Sequence, residues 1–129
     1  MRLNPRLHEA FSSLGYAYRK TGDFDQALQA YERALVLAPG YAAAIEYQAE
    51  AHLGLNRTTE AQQAYDWLFL NDPEKAQALL DAADEWMEQR RQDAAGVSAE
   101  AIEAMAHWIA AKKTTATDLG GTTDKPSAW

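Results

Sequence analysis

Apolar and small residues recur at spacings of three and four along this chain, and their order returns after 34 positions. The first series reads Phe11, Leu14, Gly15, Tyr18, Ala27, Tyr31, Ala34 and Pro39. The second series reads Ile45, Gln48, Ala49, His52, Ala61, Tyr65, Leu68 and Pro73. Spacings of three and four place side chains on one face of a helix. A fixed period of this length predicts a repeat protein built from paired helices.

The turn inside each predicted helix pair has its own signals. Gly22 suits the left-handed backbone that closes a helix, and Asp23 with Gln26 three residues later resembles a capping box. In the second copy Asn56 replaces the glycine, and asparagine is the residue that best tolerates the same conformation. Proline then ends the second helix of each pair, because it lacks an N–H and clashes with the preceding turn.

The order of residue types resembles the tetratricopeptide repeat, a helix-turn-helix unit. Small residues at Gly15 and Ala49 let two antiparallel helices approach closely. The second copy departs from the pattern at Gln48 and His52. The resemblance implies an all-α fold, a right-handed superhelical stack of antiparallel helix pairs with about six helices in total.

Five segments follow from this pattern. They are a segment resembling the end of a preceding repeat at 1–7, repeats at 8–41 and 42–75, a degenerate third hairpin or cap at 76–113, and a flexible tail at 114–129. Ser98 suits the N-cap of the last helix, which we expect to end near Lys113. The incomplete repeat at the start leaves two alternatives, a native chain that begins at a repeat boundary or a fragment. The tail is a candidate occupant of the protein's own groove or of a neighbouring chain.

Composition narrows the classes of function. The 129 residues carry a formal charge of −7 and no cysteine, which excludes disulfides and thiolate metal sites. The first residues contain no apolar stretch, so we expect neither a signal peptide nor membrane insertion, and a cytoplasmic protein is the default. A fragment of an exported protein would look the same.

A binding groove is the functional site that the resemblance implies, since the first helix of each pair lines the concave face of such a stack. Carried over residue by residue, the groove comprises Glu9, Ser12, Tyr16, Arg19, Glu46, Tyr47, Glu50, Gln77, Asp81 and Asp84. The formal charge is most negative from the second hairpin onward. An acidic groove attracts Lys- or Arg-bearing segments and disfavours nucleic acid. The alternative is an ordinary solvated acidic face.

Members of the family that clamp a peptide's terminal carboxylate use Lys and Asn in this groove. The corresponding places here carry Ser12, Tyr16, Tyr47, Gln77 and Asp81. This departure argues against a carboxylate clamp. The two tyrosines favour a peptide contact, because aromatic side chains are enriched among residues that dominate binding.

Other candidates for chemistry are weaker. Glu103 and His107 lie one helical turn apart, but a lone pair of this kind is far more often surface decoration than a metal site. His52 stands where the first copy has Tyr18, so we interpret it as a packing residue. Trp67 falls on the outer face of its helix, where an exposed ring would mark a contact surface.

These observations predict a non-catalytic scaffold without cofactors, which binds a peptide or protein segment of basic or polar character in the acidic groove. The alternative function is an oligomerisation or regulatory module of a larger polypeptide or complex, with a homo-oligomer formed through the N-terminal edge. We do not expect an enzyme, because no catalytic set of residues can be recognised.

Overall fold

Six α-helices and no β-strand make up residues 5–116, the part of the chain that the computed structural model describes. The helices are α1 Leu7–Lys20, α2 Phe24–Leu37, α3 Ala42–Gly54, α4 Thr58–Asn71, α5 Pro73–Gln92 and α6 Ala99–Ala116. The all-α class and the number of helices are therefore confirmed. The predicted tail covers residues 114–129. Residues 114–116 belong to α6, and residues 117–129, on which the hypothesis of an occupied groove depends, lie outside the described residues.

Two compact units are formed, and the boundary between them falls within α5, after Ala82. In the first unit α1 packs against α2, α3 packs against α4, and α3 also packs against both helices of the preceding pair. The second unit contains the end of α5 and α6, with Trp86, Ile102, Met105 and Ile109 buried. Helices α2, α4 and α6 thus bury apolar residues at the predicted spacing of three and four. Helix α1 differs, because Leu14 of its apolar series is 45% exposed.

The two hairpin turns of the first unit use the same backbone device. Gly22 has φ of 84° and Asn56 has φ of 62°, so both residues occupy the left-handed region that closes a helix. The backbone N–H of Asp23 donates to the carbonyl of Tyr18 at 2.9 Å, and the equivalent bond of the second turn is 2.8 Å. The asparagine in the second copy therefore performs the same task as the glycine in the first.

Side-chain caps start two of the helices as predicted. Asp23 Oδ1 accepts the backbone N–H of Gln26 at 3.3 Å at the start of α2. Ser98 Oγ accepts the backbone N–H of Ala101 at 3.1 Å at the start of α6. At its other end α6 continues past Lys113, and the hydroxyls of the following two threonines bond back to carbonyls one turn earlier.

We expect Ser98→Ala to lower the free energy of unfolding by about 1 kcal/mol, because the first turn of α6 loses a side-chain acceptor. Urea unfolding followed by far-ultraviolet circular dichroism measures the change. Ser13→Ala is the matched control, since Ser13 is exposed in the middle of α1. Equal losses in the two variants would show that the cap contributes nothing specific.

Close helix contacts in the first unit depend on two glycines. A Cβ atom on Gly15 would lie 2.6 Å from Cε1 of Tyr31, a ring that is completely buried. A Cβ atom on Gly54 would collide with the ring of Phe24. The first contact was predicted from the small residue of the repeat, whereas the second involves a glycine without a counterpart in the first copy.

No helix within residues 5–116 is both long enough and apolar enough to cross a membrane.

Candidate protein-interaction site

Five of the predicted groove residues meet where α1 and α3 face each other. Tyr16 and Arg19 lie one turn apart on α1, and Glu46, Tyr47 and Glu50 lie within about one turn on α3. Spacings of three and four residues bring side chains to the same helix face. We call these five residues the α1–α3 cluster.

Aromatic rings form the outer part of the α1–α3 cluster. The ring centroids of Tyr16 and Tyr47 are 5.5 Å apart, and the Arg19 guanidinium carbon lies 5.2 Å from the first centroid and 5.6 Å from the second. Lys20 Nζ lies 5.7 Å from the Tyr16 centroid. Tyr16 is nevertheless 40% exposed. Tyr47 is half-buried, so Tyr16 is the ring of this cation-binding pair that remains accessible to solvent.

A salt bridge connects the two helices of the cluster. Arg19 Nη1 lies 3.1 Å from Glu50 Oε1, and both side chains are largely buried. Burial alone would lower the pKa of Arg19, but the opposing attraction of Glu50 and neighbouring groups leaves the pKa raised. The bridge holds the guanidinium over the two tyrosine rings.

Glu46 forms the floor of the cluster and differs from the other acids. It is 2% exposed, and its Oε2 has no hydrogen-bond partner among residues 5–116. Burial raises the pKa of Glu46 to about 9. A hydrogen bond to Glu50 and the negative charge of Glu50 also raise this pKa, whereas the positive charges of Arg19 and Lys75 oppose the rise. Burial therefore favours the protonated form of Glu46 and reduces the negative charge that this residue contributes to the cluster.

Tyr31 of α2 also lies beside the α1–α3 cluster, although the sequence indicated only a packing role for it. Its ring centroid lies 6.2 Å from that of Tyr47. Burial raises the pKa of the Tyr31 hydroxyl to about 12, while the nearby Arg19 charge opposes the rise. The hydroxyl and Arg19 Nε both lack a partner with hydrogen-bond geometry within the described part of the chain. Nothing in the one-dimensional pattern separates this tyrosine from other core positions.

The other predicted groove residues take part in none of these contacts. Ser12 is buried in α1, and Glu9 is exposed, 4.0 Å from His8 Nε2. Gln77 Nε2 donates to Asp81 Oδ1 at 2.9 Å on the exposed side of α5. Asp84 belongs to the second unit, where it accepts from Lys113 Nζ at 2.7 Å.

The structure also places the weaker candidates for metal binding, packing and surface contact. Glu103 pairs with Arg91 at 3.2 Å, and no group of three or more His, Asp or Glu side chains within residues 5–116 could hold a metal ion. His52 is half-buried, and burial lowers its pKa, as expected for an imidazole that packs. Trp67 is 38% exposed on α4.

Consecutive antiparallel helix pairs that recur with a 34-residue period define an α-helical repeat protein. Family models described as tetratricopeptide repeat match residues 8–41 and residues 47–111. The chain belongs to the tetratricopeptide repeat family. Repeats of this family generally mediate protein–protein interactions and are usually non-catalytic. Neither the curated proteins nor the solved structures contain a significant match to the chain.

Proposed function

We propose that this protein is a non-catalytic scaffold that binds a segment of a partner protein on the α1–α3 face of its first unit. The exposed Tyr16 ring, tilted against Tyr47 at 5.5 Å, is the observation that carries this proposal. Tyrosine offers a large contact area together with a hydrogen-bonding hydroxyl, and it loses little side-chain freedom on binding. Two such rings on consecutive first helices form a continuous contact strip.

The chemistry around the rings favours a partner segment that bears Lys or Arg. The rings already hold the Arg19 guanidinium, and Glu50 supplies a carboxylate beside them. Glu9 and Asp81 add exposed negative charge to the same unit. Cations gain from both aromatic faces and carboxylates, whereas nucleic-acid phosphates are repelled by a chain of charge −7.

A selection from a display library of random 12-residue peptides on the immobilised full chain tests the proposal. We expect the selected peptides to be enriched in Lys and Arg. Synthetic versions of them should bind at least tenfold more weakly to Tyr16→Ala, about 1.4 kcal/mol, as measured by fluorescence anisotropy. Trp67→Ala is the matched control, because that ring has nearly the same exposure on α4. Unchanged affinity for Tyr16→Ala would contradict the proposal.

Charge reversal gives an independent readout with the same peptides. Glu9→Lys combined with Asp81→Lys should weaken binding and flatten its dependence on salt, because both exposed carboxylates belong to the predicted groove on the first helices. Asp25→Lys combined with Glu60→Lys changes the net charge equally at exposed positions of α2 and α4, which carry no residue of the α1–α3 cluster. If the two double variants lose affinity equally, the effect belongs to overall charge and not to this face.

A further inference from the structure

The first unit has an open apolar cavity at its N-terminal edge, between α1 and α2. Its volume is about 530 Å³. The lining residues are Leu7, Phe11, Gln29, Glu32, Arg33, Val36 and Leu37. This surface, which we call the N-terminal face, is separate from the α1–α3 cluster and shares no residue with it.

Helical spacing gives the N-terminal face its apolar character. Leu7 and Phe11 lie one turn apart on α1, and the guanidinium carbon of Arg33 lies 5.5 Å from the Phe11 centroid. On α2, Val36 follows one turn after Arg33 and is 76% exposed. Leu37 beside it is also exposed. Adjacent aliphatic side chains that are exposed around a cavity are typical of an interaction surface.

The repeat itself shows what normally covers such a face. Tyr41 stands 34 positions after Leu7, at the start of α3. It packs against the core cluster of the first unit, and the His8 ring of the preceding pair lies 4.8 Å from it. The α3 surface is therefore covered by a helix pair, α1 and α2. The corresponding surface of α1 lines the open cavity. Repeat units of this type bury their apolar faces on neighbouring helices.

We propose that a second copy of this chain occupies the N-terminal face and forms a two-fold symmetric dimer. Among the lining residues only Glu32 and Arg33 are charged, so the face is locally neutral on a chain of charge −7. Two acidic copies meet with least repulsion where their surfaces carry no net charge. In the dimer that we propose, Glu32 of one copy faces Arg33 of the other, and the two-fold axis forms this ion pair twice because each contact of such an interface is repeated.

Sedimentation equilibrium of the full chain over a wide range of concentration tests the proposal. We expect a monomer–dimer equilibrium whose dissociation constant rises at least tenfold in Val36→Glu, since the substitution places two like charges on the interface. Leu70→Glu is the matched control, because Leu70 stands 34 positions after Val36 and is 81% exposed on α4. If the wild-type chain stays monomeric at all concentrations, the proposal is wrong. A different protein is then the candidate occupant of the N-terminal face.

A charge swap distinguishes loss of the interface from loss of folding. Glu32→Arg alone and Arg33→Glu alone should each weaken the dimer, because like charges then face each other across the axis. The double variant restores opposite signs and should recover most of the dimerisation. Circular dichroism of each variant checks that the helices persist. If the double variant dissociates as much as the single ones, the two-fold pairing is wrong.

Discussion

Replacing Gly15 by leucine lowers the free energy of unfolding by about 3 kcal/mol, because the new side chain enters space that the Tyr31 ring fills. The ring cannot move into solvent, since it is completely buried under α1 and its neighbours. Separation of α1 from α2 is the remaining way to make room. Urea unfolding monitored by far-ultraviolet circular dichroism measures the loss.

Ala17→Leu is the control for Gly15→Leu, because it adds the same side chain at an exposed position of the same helix. We expect its effect to stay within about 0.5 kcal/mol. Gly15→Ala should cost less than leucine, since the helix propensity of alanine offsets part of the clash by about 1 kcal/mol. Equal stability of Gly15→Leu and Ala17→Leu would mean that the helices do not pack through this glycine.

Replacing Glu46 by glutamine stabilises the protein at pH 8 and flattens the pH dependence of its stability. Burial raises the pKa of Glu46 from its ordinary value of 4.5 to about 9. The folded state thus keeps a proton that the unfolded chain releases above pH 4.5, and stability falls as the pH rises towards 9. Between the ordinary and the raised pKa, stability falls by up to about 1.4 kcal/mol for each pH unit, the cost of removing one proton from the folded state alone. Glutamine has the same shape and cannot ionise.

Urea unfolding of both proteins at pH 5 and pH 8 measures this difference. Wild type should lose stability between the two values, and Glu46→Gln should lose much less. Glu60→Gln is the control, since it removes an exposed carboxylate of α4. Parallel pH profiles for wild type and Glu46→Gln would show that Glu46 is ionised in the folded protein.

Local backbone signals were the most predictable part of this molecule. Gly22 and Asn56 indicate the two turns in the sequence, because few residues adopt a positive φ without strain. Ser98 announces the start of α6 because its hydroxyl can accept a backbone N–H. Such signals depend on one residue and its immediate neighbours, so a single sequence contains them in full.

Burial of charge was not predictable in the same way. Periodicity places Glu46 and Glu50 on one face of α3, yet Glu46 is a buried acid with a raised pKa and Glu50 is a partner of Arg19. The difference arises from tertiary packing, which buries Glu46 and brings Arg19 of α1 to Glu50. The Gly54 contact was missed for a related reason. Its counterpart in the first copy is Lys20, so the repeat gives no hint that a ring packs there.

If the proposed partner segment binds at the α1–α3 cluster, its cation has to displace the Arg19 side chain. The guanidinium already covers the two tyrosine rings and bridges to Glu50 in the unbound protein. A partner that brings its own Lys or Arg to the rings gains only the difference between the new contacts and those that Arg19 gives up. Association through this face would then be weak and quickly reversible. The affinity of each competing partner would then depend on how well its own cation replaces the Arg19 guanidinium.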